Sequence, residues 1–437
     1  VSVGNPSARR RPTAPRALAG LLVAHTLAAA GNVVTFVALP LYVLAETGSP
    51  AMAGVLAVAT TLPVVVGGAF GGVLVDRFGY RRSSVLSDVV GAVTVGAIPL
   101  LHVTVGLPFG VLLALVFATG LLDTPGKSAR TALVPEAASL AGVPLERALG
   151  WWGAASRGAM LVGAPVAGLL VAWWGPLLVL VVNAAAFLAS AVVVAVGVPA
   201  RLRPNDDDAP SPPPGHADPQ PGYWRALGEG VRVLWGNPLL RAVVLLVLVT
   251  NALDIGRSSV ILPVYAEREL AGATSLGLLI GASGLGMFVG ALLFSALGSR
   301  VPRRMVFAVG FLLAGGPQLI VLALRPGLGW CLLAAVLAGL AAGSINPILD
   351  TVLLEQVPPS MRARVFGVVD AGCWAAMPVG ALATGFLVEG LGLVPSLLLL
   401  GATYLLVTLA PFVGSVWAGL DRRLLPVPDP DADTVVR

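Results

Sequence analysis

Twelve apolar runs, each long enough to cross a bilayer, follow one another along the 437-residue chain with only short polar or Gly/Pro breaks between them. A span needs about 20 predominantly apolar residues. Inside lipid a backbone can satisfy its own N–H and C=O groups only as a helix or a closed barrel, and runs of this length select the helix. They cover 17–44, 50–75, 83–104, 107–133, 146–172 and 176–198, then 238–264, 274–298, 303–324, 328–355, 361–388 and 394–418. The shortest breaks are Gly106-Leu107-Pro108 and Arg325-Pro326-Gly327. Composition agrees: charged residues are 11% of the chain, whereas a water-facing surface takes about 25%. Much of this chain's solvent must therefore be the lipid bilayer.

The ends and middle follow from the same reading. Arg9, Arg10 and Arg11 ahead of Ala28-Ala29-Ala30 resemble a leader with a small-residue cleavage site. The apolar run continues to Val43, so it is read as the first transmembrane helix. Residues 1–16 and 419–437 form the tails, 17–198 a first six-helix bundle, 238–418 a second, and 199–237 a linker. Its stretch from Ala200 to Gly222, rich in proline and acid, is expected to be disordered. Asp206, Asp207 and Asp208 read there as solvated charges, not as a metal site. Tyr223 to Gly236 reads as an amphipathic helix on the membrane face, anchored by Trp224 and Trp235.

The tails, the linker and the loops after the second, fourth, eighth and tenth runs hold 23 of the 27 Lys and Arg residues. The positive-inside rule places both termini and the linker in the cytoplasm of a cell whose inner membrane holds the chain. The net charge of +5 is thereby topology, and no nucleic-acid partner is implied. Cys331 and Cys373 lie inside apolar runs without metal-ligand spacing and are expected as buried free thiols. No metal or other cofactor is expected.

The two halves repeat. Leu39-Pro40-Leu41-Tyr42 matches Leu262-Pro263-Val264-Tyr265, and Val134-Pro135 matches Val357-Pro358, both at an offset of 223. Gly68, Arg81 and Arg82 match Gly290, Arg303 and Arg304 at 222. The segment 163–170 matches 380–387 at 217. The expected fold is thus an all-α membrane protein with 12 transmembrane helices in two pseudo-symmetric six-helix bundles. Parallel repeats of this kind place a substrate site at their interface near mid-membrane.

Charges within spans are costly and are functional candidates by default. Asn251, Asp254 and Arg257 follow at i, i+3 and i+6 in the seventh run. Asp254 and Arg257 read equally as a buried structural pair or as a substrate or coupling site. His25 and Asn32 lie in the first run, Asn346 and Asp350 in the tenth. His25 reads first as a packing residue and second as a proton relay. Arg157 sits about 15 Å into the fifth run at 1.5 Å per residue, near mid-membrane. Asp88 and Asp370 lie shallower.

The segment Gly72-Val73-Leu74-Val75-Asp76-Arg77-Phe78-Gly79-Tyr80-Arg81-Arg82 closely resembles the loop signature G-x-x-x-D-R-x-G-R-R/K of the major facilitator superfamily. Residues 44–50 and the segments 123–168 and 346–385 resemble its drug- and metabolite-exporter branch, including macrolide- and siderophore-type exporters. The resemblance implies a secondary transporter working by alternating access, driven by protons, and no enzyme. It implies that Asp76 latches the halves against the N-terminus of the eleventh helix. Arg81 or Arg82 would bind carbonyls or an acid such as Asp123, with Asp350 in a similar network. Tyr80 replaces a basic residue of the signature. Gly163, Pro165 and Gly168 retain part of the helix-5 motif of drug/proton antiporters and read as a packing surface. Phe117 stands where that family has a helix-4 arginine, so coupling through that arginine is not implied.

The leading expectation is proton-coupled efflux of a small, largely apolar compound by a monomer. The alternatives are uptake of a metabolite or siderophore-type compound and, in another class, an integral-membrane transferase, for which no His/Asp/Glu cluster is present. A nucleotide-driven pump needs G-x-x-x-x-G-K-[ST]. The only Gly-Lys-Ser, at 126–128, lacks the first glycine at that spacing.

Overall fold

A computed structural model describes residues 14–199, 223–357 and 361–421. Within them the side chains of 14–15, 68–74, 76, 223–227, 299, 363, 364 and 370 are not described. The linker and its three aspartates therefore lie outside the described residues, as do the side chains of Gly72, Asp76, Trp224 and Asp370.

The described residues form helices and no strand. The first half comprises α1 (Ala14–Thr47), α2 (Pro50–Phe78), α3 (Tyr80–Thr104), α4 (Phe109–Ala141) and α5 (Leu145–Gly197). Then come α6 (Tyr223–Gly236), α7 (Pro238–Gly256), a π-turn (Arg257–Ile261), α8 (Leu262–Glu269) and α9 (Ala273–Leu297). The rest are α10 (Arg303–Ala314), α11 (Gly316–Ala323), α12 (Leu328–Ala342), α13 (Ile345–Gln356), α14 (Arg362–Leu391) and α15 (Leu393–Thr408). Among the described residues 11 segments have the length and hydropathy of a span, and one of these, α5, is 53 residues long. Gly175 inside α5 has φ +76° and ψ 162°, a conformation essentially reserved for glycine. It folds α5 into the fifth and sixth spans, so the total is 12.

Three spans are less regular than their hydropathy implies. The ninth is broken at Gly315, between α10 and α11. The tenth is broken at Gly343 and Ser344, between α12 and α13. In the seventh, Leu262 N–H bonds the Arg257 carbonyl five residues back. Pro263 follows directly, and its ring would clash with the Ser259 carbonyl in a plain α-helix, so one extra residue is absorbed in a π-turn.

The chain separates into two compact units. One holds residues 14–199, 255–284 and 377–393; the other holds 223–254, 285–357, 361–376 and 394–421. The first unit has a core of Leu18, Leu21, Leu133, Val134, Trp152 and Val194 from α1, α4 and α5. The second is centred on Leu240, Val244, Phe307, Phe311, Ile348, Val365 and Trp417. Leu234 of α6 is buried in that core, while Trp235 is exposed. Both cysteines are buried thiols.

Candidate functional site

In the first unit the sequence places three serines and an acid on one face of α3, and the fold turns that face inward. Asp88 is 0% exposed and Arg130 of α4 is 1% exposed. Arg130 Nη1 donates to Asp88 Oδ1 at 2.6 Å and to Ser84 Oγ at 3.5 Å. Ser190 of α5 donates to Asp88 Oδ2 at 2.6 Å and to the Ala24 carbonyl of α1 at 3.1 Å. The carboxylate thereby ties α3, α4 and α5 together, and the Ser190 hydroxyl adds α1. A charge this deep is retained only when paired and hydrogen-bonded. Arg130 corrects the sequence reading, which counted it among loop charges that set topology. α4 runs on to Ala141 and carries Arg130 into the bundle. Ser83 and Ser87 hydroxyls and Arg130 Nε are buried there without a hydrogen-bond partner among the described residues, and ordered water is the ordinary partner of such groups.

The other first-unit candidates disperse around this tie. His25 is buried, its Nε2 is 2.7 Å from Ser156 Oγ, and its ring stacks on Trp152 at 3.7 Å between centroids. Asn32 Nδ2 donates to Asp123 Oδ2 at 3.1 Å. Arg81 donates to the Ala195 carbonyl, in the last turn of α5, the carbonyl alternative of the two expected for it. The other alternative, Asp123, accepts from Asn32. Arg77, Arg82 and Arg157 are exposed. Gly79 has φ +80° and ψ 154°, so its place in the loop signature is a backbone requirement: no L side chain suits the turn joining α2 to α3.

The second unit repeats part of this with different chemistry. Arg304 donates from Nε to the Pro411 carbonyl at 2.9 Å and from Nη2 to the Phe412 carbonyl at 3.0 Å. It thus serves the chain leaving α15 as Arg81 serves the end of α5, because terminal carbonyls lack helix partners. Arg304→Met is expected to lower stability by about 1.5–3 kcal/mol, the worth of hydrogen bonds to a charged group, read as an earlier thermal unfolding midpoint in detergent. Arg303 Nη1 reaches both oxygens of Glu355 at 2.8 Å. Tyr404 packs its ring against Gly315 as Phe187 packs on Gly91, and 187 and 404 stand at the repeat offset of 217. The Tyr404 hydroxyl donates to Asp254 Oδ2 at 3.4 Å. Asn251 Nδ2 donates to the Cys373 carbonyl at 3.4 Å. Asn346 and Asp350 are exposed. The repeat partners of Asp88 and Arg130 are Gly310 and Leu353, so the buried ion pair belongs to one half only. Arg257, in the first unit, opens the π-turn.

Within the first unit two helix crossings are closed by glycines. A Cβ on Gly168 of α5 would meet the Ala273 carbonyl and lie 2.9 Å from Gly277 Cα of α9. A Cβ on Gly385 of α14 would lie 2.8 Å from the Pro50 carbonyl and 3.1 Å from Gly54 Cα of α2. Gly54 and Gly277 stand at the offset of 223, Gly168 and Gly385 at 217, and Pro50 and Ala273 again at 223. The two crossings are therefore the same contact made twice, each joining a helix of one half to a helix of the other. Pro165 packs against Gly281, while the missing Cβ of Gly163 faces Val33 at 3.7 Å.

One interaction breaks this symmetry. The Glu389 carboxylate accepts from Ser49 Oγ and from the Ala51 N–H, the latter at 3.0 Å. Ser49 caps α2 by accepting from Met52 N–H at 3.2 Å. Its repeat partner is Gly272, and that of Glu389 is Ala172. Sequence reading missed Glu389 because it ended the run one residue earlier.

Comparison with known proteins agrees with this architecture. The profile of the Major Facilitator Superfamily matches residues 21–269 and 244–435. The chain is 31% identical over 389 residues to the "Multidrug efflux pump Tap" of Mycolicibacterium fortuitum, covering 88% of this chain and 92% of that one. It is 32% identical over 380 residues to the protein of the same name from Mycobacterium tuberculosis H37Rv, covering 85% and 87%. Among solved structures, the nucleoside transporter NupG superposes with a TM-score of 0.73 at 13% identity, over 93% of this chain and 99% of that one. A bacterial homolog of the human lysosomal transporter Spinster gives 0.70 at 17% identity, over 95% and 100%.

Proposed function

Because the chain belongs to the Major Facilitator Superfamily and is a secondary transporter of small molecules, not an enzyme, we propose that it exports a small, largely apolar drug or metabolite in exchange for protons. The observation that carries this reading is the identity of 31–32% over at least 85% of the chain to pumps named for multidrug efflux. Both termini face the cytoplasm in this reading, supported by 22 of the 27 basic residues, Arg130 set aside, lying in the tails, the linker and one set of loops. The glycine crossings then lie toward the outer surface, and the signature loop Gly72–Arg82 toward the cytoplasm. The chain works as a monomer whose halves rock around a central site.

Asp254 is the coupling carboxylate in this proposal. It is partly buried within a span and hydrogen-bonded to a buried tyrosine, which is where a protonatable group senses both substrate and gradient. Asn251 shares its helix and Arg257 opens the π-turn that follows, while His25 and Asn32 of the repeat-related first run are the further candidates, with Asp123 accepting a hydrogen bond from Asn32. Asp76 with Arg81 forms the cytoplasmic latch.

The test is transport of a panel of drugs and metabolites by purified protein in proteoliposomes under an imposed proton gradient. Movement of at least one apolar compound against its own gradient, abolished by a protonophore, is the expected result. Folded protein that moves nothing in the panel overturns export. Asp254→Asn is expected to leave the fold intact and to flatten the pH dependence of transport. An unchanged rate and pH profile would remove Asp254 from the coupling role.

A further inference from the structure

We propose that Glu389 is an outer latch, a residue that holds α2 and α14 together at their outer ends and sets how readily the transporter opens outward. The inference rests on the alternating-access reading above.

It begins from the repeat. Two equivalent crossings hold the halves together, and glycine backbone contacts make both of them. If these contacts were sufficient, both ends would have the same chemistry. The acid beside Gly272, Glu267, comes from the same half, whereas Glu389 reaches Ser49 and Ala51 from the other half. Glu389 lies two residues before the end of α14, and its carboxylate reaches the first turn of a helix from the other half. The N-terminus of α2 is a favourable place for an anion, because its first N–H groups lack helix partners and carry partial positive charge. Ser49 already supplies an N-cap of ordinary type. The carboxylate adds a second cap, and this one crosses between halves.

The interaction can be made only while α2 and α14 are in contact. In the alternating-access cycle these helices part when the outer side opens, and the carboxylate then loses both donors to water. The contact therefore acts on one state of the cycle alone, which is the requirement for shifting an equilibrium. At the other crossing the positions equivalent to Ser49 and Glu389 are Gly272 and Ala172, which have no side chain able to make this contact. Glu389 is exposed, so its weight is that of a surface anion at a helix end, roughly a two- to fivefold shift in population.

The test uses full-length protein in liposomes with spin labels on cysteines at Glu46 and Leu391, both exposed, in a background with Cys331 and Cys373 replaced by alanine. The distance distribution reports outer opening without any substrate. Glu389→Ala is expected to raise the longer-distance population relative to the parent by that two- to fivefold factor. Glu389→Gln, which is nearly isosteric and keeps an acceptor oxygen but loses the charge, is expected to fall between. Gly168→Leu, which opens the other crossing by bulk, is the reference. If Gly168→Leu lengthens the distance while neither Glu389 variant does, the latch is wrong and alternating access stands. If none of the three lengthens it, both are overturned.

Discussion

Arg130→Leu is expected to be the most destabilising single substitution in the first half, costing about 3–5 kcal/mol. The change leaves Asp88 at 0% exposure with its counter-ion gone. Removing one member of a buried pair strands the other charge, and that penalty is larger than the net worth of the pair. Ser190 still donates to the other carboxylate oxygen, which offsets only part of the loss. The measurement is the fraction of detergent-solubilised protein remaining monodisperse after stepped heating. The double variant Asp88→Leu with Arg130→Leu is expected to recover most of the loss, since apolar replacement of a whole buried pair is often neutral. The second half already makes that choice, with Gly310 and Leu353 at the equivalent positions. A single variant as stable as the parent would mean that the pair is open to water.

The second large effect is expected at the glycine crossings. Gly168→Leu places a side chain where the Ala273 carbonyl and the Gly277 backbone already stand. Neither is a flexible side chain that can swing away, so the helices must separate. Overpacking costs typically about 1–3 kcal/mol, which corresponds to roughly 5- to 150-fold in a two-state population. The protein is expected to stay folded, because the contact joins helices of opposite halves and each half keeps its own core. Transport is expected to fall at least tenfold while a monodisperse protein remains. Gly54→Leu, at the repeat-related crossing, is expected to act in the same direction. Unimpaired transport by both variants would show that the crossings open and close without these contacts limiting the cycle.

These expectations differ in how much of them the sequence carried. The breaks at 106–108 and 325–327 were legible and appear between α3 and α4 and between α11 and α12. The offsets of 223 and 217 were legible too, and the crossings obey them residue by residue. Pro165 and Gly168 were visible as a packing motif, but their partners on α9 were not. Arg130 was misassigned because a charge near the end of the run was counted with the loop beyond it, while the helix goes on to Ala141. The π-turn had a signal, Pro263 in mid-span, yet Pro40 at the repeat-related position stays within a continuous α1.

What the sequence alone determined is the number of spans and the duplication. These follow from length, hydropathy and repeated motifs, which can be read one helix at a time. Which helix faces which was decided only in three dimensions. In water an apolar stripe marks the inward face of a helix, because the other face must be polar. In lipid both faces are apolar, so the stripe disappears, and contacts are selected instead by where backbones can approach and where a buried charge finds its partner. Gly168 against Gly277, and Asp88 with Arg130, are such selections. Twelve apolar runs fixed what this chain is built from, and small residues and paired charges fixed how it is assembled.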